Sequence, residues 1–210
     1  MKLISTSTVF LMLLVFQQGL LAQQNKQWQQ VTDDDGIQVY TIEQHNSNIV
    51  KAKAITEIKV PLIRIRQELD DIASRHEWVP FLKQSKLIIV KSATMRLEYS
   101  LFSAPWPASN RDFVYSLELV KESSDQLVYK MRSVKTRYMP ENVNYIRGEI
   151  FESVYTLTKI NENLTKVELS YHADPKGWLP SWIVNIIQRV LPYKILRNLR
   201  QRLEQVSEYK

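Results

Sequence analysis

Three histidines, His45, His76 and His172, are the imidazoles of a chain of 210 residues that contains no cysteine. A metal centre needs ligands at short fixed spacings, and none of the three stands at ligand spacing from another. His76-Glu77-Trp78-Val79-Pro80 lacks the second histidine of a zinc-binding helix. The run Asp33-Asp34-Asp35-Gly36 suggests calcium, but an EF-hand loop needs glycine sixth and glutamate twelfth, and the twelfth residue counted from Asp33 is Gln44. A turn is the better reading. Ser109 with Arg111 and Asp112 could form a nucleophile group, yet no histidine is near in sequence. Their setting, Ala104-Pro105-Trp106-Pro107-Ala108-Ser109-Asn110 leading into an alternating strand, favours structural capping. There is no Gly-rich phosphate loop, so neither a metal nor a cofactor is expected. His172, just before Ala173-Asp174-Pro175, is the histidine a catalytic reading would use, as a group facing the mouth of a hollow.

What remains is apolar capacity. Met95, Leu97, Tyr99 and Leu101 alternate with Arg96, Glu98 and Ser100; Phe113, Tyr115, Leu117 and Leu119 alternate with Val114, Ser116 and Glu118; Leu127, Tyr129 and Met131 alternate with Lys130 and Arg132. Each run predicts a strand with one apolar and one wetter face. The aromatic residues on the apolar faces, with Phe151 and Tyr155 from a later run, would supply wide walls, and Met95, Met131 and Met139 deformable neighbours. Arg96 and Glu98, on the other face, read as a surface pair.

These walls need positioning. Gln23 to Gln30 reads as a loose polar lead-in anchored by Trp28, followed by a strand over Ile37 to Ile42, a hairpin loop at Asn46-Ser47-Asn48 and a second strand from Ile49 to Val60. Pro61 suits the first position of a helix in which Leu62, Ile65, Leu69 and Ile72 share a face. Turn signals at Ser123-Ser124-Asp125-Gln126 and Asn161-Glu162-Asn163 make the later strands antiparallel neighbours. The run Tyr145 to Ile160 is long for one strand, and Gly148 lets it bend. Pro180 to about Glu208 reads as a long helix. Ile183, Ile187, Val190 and Leu191 fall on one side of it, and Ile195, Leu199, Leu203 and Val206 roughly opposite if it is straight. A kink or break at Pro192 would let both halves be buried.

Lys2, the apolar stretch Leu3 to Phe16 and Gly19-Leu20-Leu21-Ala22 read as a secretory signal over residues 1–22, leaving one domain over 23–210. Loss of Lys2 would change the net charge from +6 to +5. That excess suits an anionic membrane surface, met transiently; no compact basic run or nucleic-acid motif appears, so nucleic acid is not an expected partner. The expectation is an exported monomer in a bacterial periplasm.

Trp78-Val79-Pro80-Phe81, Pro107 with Arg111-Asp112-Phe113-Val114, and Asp174-Pro175-Lys176-Gly177-Trp178-Leu179-Pro180 occur in an order and spacing that resembles the START domain, the steroidogenic-acute-regulatory-protein-related lipid-transfer family. The resemblance implies an α+β helix-grip fold, a curved antiparallel β-sheet wrapped around a long C-terminal α-helix and enclosing an apolar cavity for one lipid: a sterol, phospholipid, fatty acid or other hydrophobic molecule. The expected cavity residues are Met95, Leu97, Tyr99, Phe113, Tyr115, Leu117, Tyr129, Met131, Phe151, Tyr155, His172, Ile183 and Ile187. Trp178, Leu179, Trp182, Arg189, Pro192 and Lys194 would dock on the membrane or gate the cavity, with the loop Pro140 to Asn144 moving to open it. Steroidogenic members carry a cavity arginine six residues beyond the motif arginine; here that position is Leu117, so their sterol-hydroxyl recognition does not carry over. Helix-grip relatives also include aromatic cyclases, which leaves open an enzyme using His172 with Tyr155 or Arg111. A lipid sensor without transfer is the other alternative.

Overall fold

Between Gln29 and Asp174 the chain lays down ten strands of one sheet, numbered β1 to β10 in chain order, nine of them in the spatial order β1-β2-β3-β10-β9-β7-β6-β5-β4. The structure, a computed structural model, describes residues 27–44 and 49–207; the expected signal segment and the Asn46-Ser47-Asn48 loop lie outside the described residues. β1 (Gln29–Asp34), β2 (Ile37–Ile42) and β3 (Lys51–Ile58) form a meander. The chain then crosses to the opposite edge through a helix, Leu62–Asp70, and a single 3-10 turn, Arg75–Glu77. β4 (Leu82–Val90), β5 (Met95–Phe102), β6 (Arg111–Glu122), β7 (Gln126–Ser133), β9 (Glu149–Asn161) and β10 (Leu164–Asp174) return by antiparallel neighbours until β10 pairs β3. β8 (Ile146–Arg147) pairs β6 in parallel.

The gripped element is the helical segment from Ser181 to Ser207. Ile195, Leu196, Leu199 and Leu203 are buried against Ile37, Val39, Ala54, Ile58 and Val167 on the inner face of the sheet, with Ile65, Leu69 and Trp78 closing the other side. The architecture is thus the helix-grip fold.

Several expectations change in detail. Gln29 and Gln30 belong not to a loose lead-in but to β1, which pairs β2 despite its polar sequence. Pro61 caps the first helix rather than opening it, and the helix stops at Asp70, short of Ile72. The long strand is broken at Gly148 into β8 and β9. The helical run continues unbroken through Pro192, and the irregularity lies in the turn before it, Ile186–Val190, which widens to a π-helix. A turn closed i→i+5 takes in one residue more than an α-turn, which suits a proline that has no N–H to give. It also rotates the later apolar residues back toward the side of the earlier ones.

Gly148 is fixed by close approach. A Cβ there would stand 2.3 Å from Cε1 of Phe113, whose ring meets Phe102 edge-on with centroids 5.7 Å apart. Gly148→Ala must push that ring aside and is expected to lower stability by about 1–3 kcal/mol, as overpacking does. A lower urea midpoint at unchanged m-value would show it; an unchanged midpoint would mean that Phe113 swings away freely.

Candidate functional site

The inner face of β6 sets one wall of a cavity. Phe113, Tyr115 and Leu117 alternate inward, Tyr129 and Met131 follow on β7, Ser153 and Tyr155 on β9, and Leu169, Tyr171 and Ala173 on β10. Trp78, Val79 and Phe81 close one end, and Ile183, Ile186, Ile187, Leu191 and Ile195 of the terminal helix form the roof. The cavity volume is about 270 Å³. The lining residues that reach solvent are Phe81, Ser103 and Pro105, which puts the mouth beside the segment Ser103 to Pro105 and the facing segment Pro175 to Leu179, from which Pro175 and Leu179 also line the cavity. Burial pushes the phenols of Tyr115, Tyr155 and Tyr171 up, so all three stay neutral hydroxyls in an otherwise apolar space.

Of the expected cavity residues, Phe113, Tyr115, Leu117, Tyr129, Met131, Tyr155, Ile183 and Ile187 line this space. Met95, Leu97 and Tyr99 do not. The register pairs Glu98 with Tyr115 and Ser100 with Phe113. Residues directly opposite in an antiparallel pair project from the same face, so Arg96, Glu98 and Ser100 point inward and the apolar set points outward. There Tyr99 and Leu101, with Val114 of β6, are covered by Ile88, Val134, Met139 and Tyr145. The apolar alternation of β5 therefore marked a second, outer cluster. The same covering explains why the loop Pro140 to Asn144 contributes nothing to the lining: its flanks pack on the outer face, and Arg147 donates to the Pro140 carbonyl at 3.1 Å. Phe151 and His172 are likewise outside. Tyr171 and Ala173 face the cavity, so His172 between them turns to the outer face, where its ring lies 4.7 Å from that of Phe151 and beside Lys51 and Glu152. Burial and then the Lys51 charge hold its imidazole below the ordinary range. His172 thus does not meet Tyr155 or Arg111 in a common pocket.

The inward turn of β5 exposes what the sequence reading missed. Glu98 is 0% exposed, and its carboxylate is gripped by Arg75, by Nε of Arg96 at 2.6 Å and by the Tyr115 hydroxyl at 3.0 Å. Arg75 also donates to the Leu69 carbonyl at 2.8 Å and to the Tyr115 hydroxyl at 3.3 Å, which in turn lies 2.9 Å from Ser100. Leu117 is apolar, and the cavity cation comes instead from Arg75 in the 3-10 turn. Burial opposes the charge on Glu98, but Arg75 and Arg96 outweigh it and hold the carboxyl below its usual range. The sequence signal was available only as three inward-facing polar residues in a strand whose other face is equally buried.

Trp178 and Trp182 are 68% and 48% exposed, and Trp106, preceding the cis-bonded Pro107 on the other lip of the mouth, is 89% exposed. Leu179 lines the cavity, Pro192 is buried, Lys194 is half-buried and Arg189 is exposed.

Removing the counter-charge tests the buried pair. Glu98→Gln leaves Arg75 buried without its partner and is expected to cost about 3–5 kcal/mol in chemical unfolding. Because the folded-state pKa of Glu98 is depressed, the stabilisation it contributes is present above the ordinary carboxyl range, about pH 4.3, and is lost as pH falls through the folded value. The gap between wild type and Glu98→Gln should therefore shrink on acidification; a gap constant with pH would show that the charge is not the cause.

The START domain family model matches residues 15–208. The chain is similar to the phosphatidylcholine transfer protein of Bos taurus, 25% identical over 162 residues and covering 75% of each chain. It is 27% identical over 164 residues to the steroidogenic acute regulatory protein of Xenopus laevis, where it covers 76% of its own length and 56% of that protein. A solved STAR-related lipid transfer protein of Xanthomonas axonopodis superposes with a TM-score of 0.74 at 27% identity, over 84% of this chain and 98% of that one. With its sheet, gripped helix and apolar cavity in place, the chain belongs to the START domain family.

Proposed function

We propose that this protein binds a single hydrophobic lipid in the cavity and transfers it between membranes, as a monomer exported to a bacterial periplasm. The observation that carries the reading is the cavity itself: apolar walls enclosing about 270 Å³ under a helix, at a mouth fringed with exposed tryptophans. A lipid in that space removes apolar surface from water at about 25 cal/mol per Å².

Exchange needs an opening, and the polar ties of the terminal helix favour its front half. Behind Pro192, Tyr193 donates to Asp34 at 2.8 Å, Asn198 to the Trp78 carbonyl at 3.0 Å, and Arg202 to Glu68 and Glu77, both at 2.5 Å. Ahead of it, the polar tie to the sheet among the described residues is the Tyr171 hydroxyl on the Ile187 carbonyl, at the π-turn. The front half and the segment Pro175 to Leu179 would lift while the rear half stays anchored. Trp178 and Trp182 would enter the interfacial layer, where tryptophan is favoured, with Arg189, Lys194 and Arg197 toward anionic head groups. Trp106 adds a third such side chain on the opposite lip. Export is supported by the composition of residues 1–22.

The test is native mass spectrometry of the exported protein followed by transfer between donor and acceptor vesicles. One lipid per chain and measurable transfer are expected, with Trp178→Ala/Trp182→Ala losing about tenfold or more in vesicle binding, the equivalent of 1.4 kcal/mol, at unchanged thermal midpoint. A protein that leaves the host empty and takes up no lipid from vesicles would end the carrier reading; full transfer by the double variant would end the docking role.

A further inference from the structure

Arg111 opens β6 at the mouth of the cavity and is 4% exposed, yet it makes no ion pair among the described residues. Its neighbour Asp112 is no help, because strand alternation sends that carboxylate to the outer face, where Arg147 grips both oxygens at 2.8 and 2.9 Å. Nη1 of Arg111 donates to the Ser109 carbonyl, and Nη2 to the carbonyls of Trp178 at 2.9 Å and Lys176 at 3.4 Å. Nε is buried with no acceptor. All of its partners are neutral dipoles, and burial alone accounts for a pKa below the ordinary guanidinium value.

This is unlike every other cation at the cavity. Arg75 is matched by Glu98, and Lys176, on the same mouth segment, by Glu149 at 2.9 Å and Asp174 at 3.0 Å. A guanidinium cannot shed its proton, and a buried charge is ordinarily paired. We propose that Arg111 is the anchor for the anionic head of the bound amphiphile, a carboxylate or a phosphate, and that it exchanges the carbonyls of the mouth segment for that head when cargo enters. The proposal rests on the lipid-carrier reading above and deepens it.

The exchange is favourable in kind, since a hydrogen bond to a charged acceptor is roughly twice as strong as one to a neutral carbonyl, and the guanidinium edge matches both carboxylate and phosphate. It also couples the head to the gate. The carbonyls released belong to Lys176 and Trp178, in a segment where Lys176 and Gly177 both hold positive φ between Pro175 and Pro180. Through these hydrogen bonds Arg111 fastens the segment down; an anion that takes their place would release it.

The experiment titrates delipidated wild-type protein with three ligands of one chain length, dodecanoate, dodecyl phosphate and 1-dodecanol, followed by intrinsic tryptophan fluorescence. At least one anion is expected to bind about tenfold or more tightly than the alcohol, the usual scale of a charge-assisted hydrogen bond, and the tighter of the two anions names the head. Arg111→Gln should abolish that preference while leaving dodecanol affinity within about twofold. Equal binding of all three ligands by wild type, or a preference that survives in Arg111→Gln, overturns the anchor while leaving lipid binding intact. Failure of all three to bind overturns the carrier reading and the anchor with it. Should Arg111→Gln not fold, Arg111→Lys decides: a reduced anion preference at unchanged dodecanol affinity supports the anchor, and an unchanged preference overturns it.

Discussion

Arg75 decides which face of β5 looks into the cavity. An extended strand offers two faces, and in β5 both are buried: one carries Leu97, Tyr99 and Leu101, the other Arg96, Glu98 and Ser100. Hydrophobicity alone would send the apolar set toward the gripped helix. The guanidinium of Arg75, projected from the 3-10 turn, instead requires a carboxylate within the hollow, and Glu98 supplies it in register with Tyr115. A slip of one residue would expose an unpaired cation to an apolar space and a glutamate to the outer cluster. A buried pair of this kind adds little net stability over a well-packed apolar substitute, but it penalises the alternative register by several kcal/mol, about the cost of breaking it. The outer apolar face that results is then covered by Val134, Met139 and Tyr145, which fixes the position of the long β7–β8 connection.

The terminal helix solves a second conflict. Its apolar residues must cover a cavity at one end and fill a core at the other, and a straight α-helix would drift off the sheet between the two. The π-turn at Ile186–Val190 absorbs the drift next to Pro192, whose missing N–H already weakens that point. The consequence is an uneven element. Its rear half is tied by side-chain hydrogen bonds to β1, the first helix and the 3-10 turn, whereas its front half is held mainly by apolar contact with whatever fills the space beneath. For the proposed exchange, the half with fewer ties to the sheet is the one that would open.

This asymmetry shows how far the sequence could be read. The strands β6, β7 and β9, the gripping helix and the bend at Gly148 followed from alternation, from an unbroken apolar pattern and from a lone glycine in a strand, and for β6 and β7 the inward set was the apolar set. The same rule inverted β5, because alternation reports that two faces differ but not which one the partner strand turns inward. Phe151 was misplaced for a related reason: Glu152 faces His172 and Ile150 faces Ala173, so Phe151 is the extra residue of a bulge in β9, which is invisible in a single strand's pattern, whereas His172 keeps the plain alternation of β10 between Tyr171 and Ala173. β1 was passed over because its residues are polar and its strand character comes wholly from pairing with β2. Arg75 could not be tied to Glu98 from spacing, since the 22 residues between them include the whole of β4, and only the pairing of β4 with β5 brings the two together.

The charges around the cavity are therefore not equivalent toward a ligand. At the Arg75 end, the Glu98 oxygens are taken by two arginines and a tyrosine, and Nη1 and Nη2 of Arg75 by Glu98, Tyr115 and the Leu69 carbonyl, so the charges there are already paired with one another, with Nη2 of Arg96 left as a buried donor without an acceptor. Paired charges act as a wall with the electrostatics of a dipole, and displacing one member leaves another unpaired. At the mouth, by contrast, Arg111 has only neutral carbonyl acceptors and an orphan Nε. On the proposed carrier function, a cavity whose inner charge is internally neutralised and whose outer charge is not would favour an amphiphile that enters tail first, its chain against Phe113, Tyr155 and the roof isoleucines and its polar end beside the mouth segment. That orientation needs no desolvation of an anionic head beyond the mouth, which is the largest electrostatic cost that carrying such a lipid would otherwise incur.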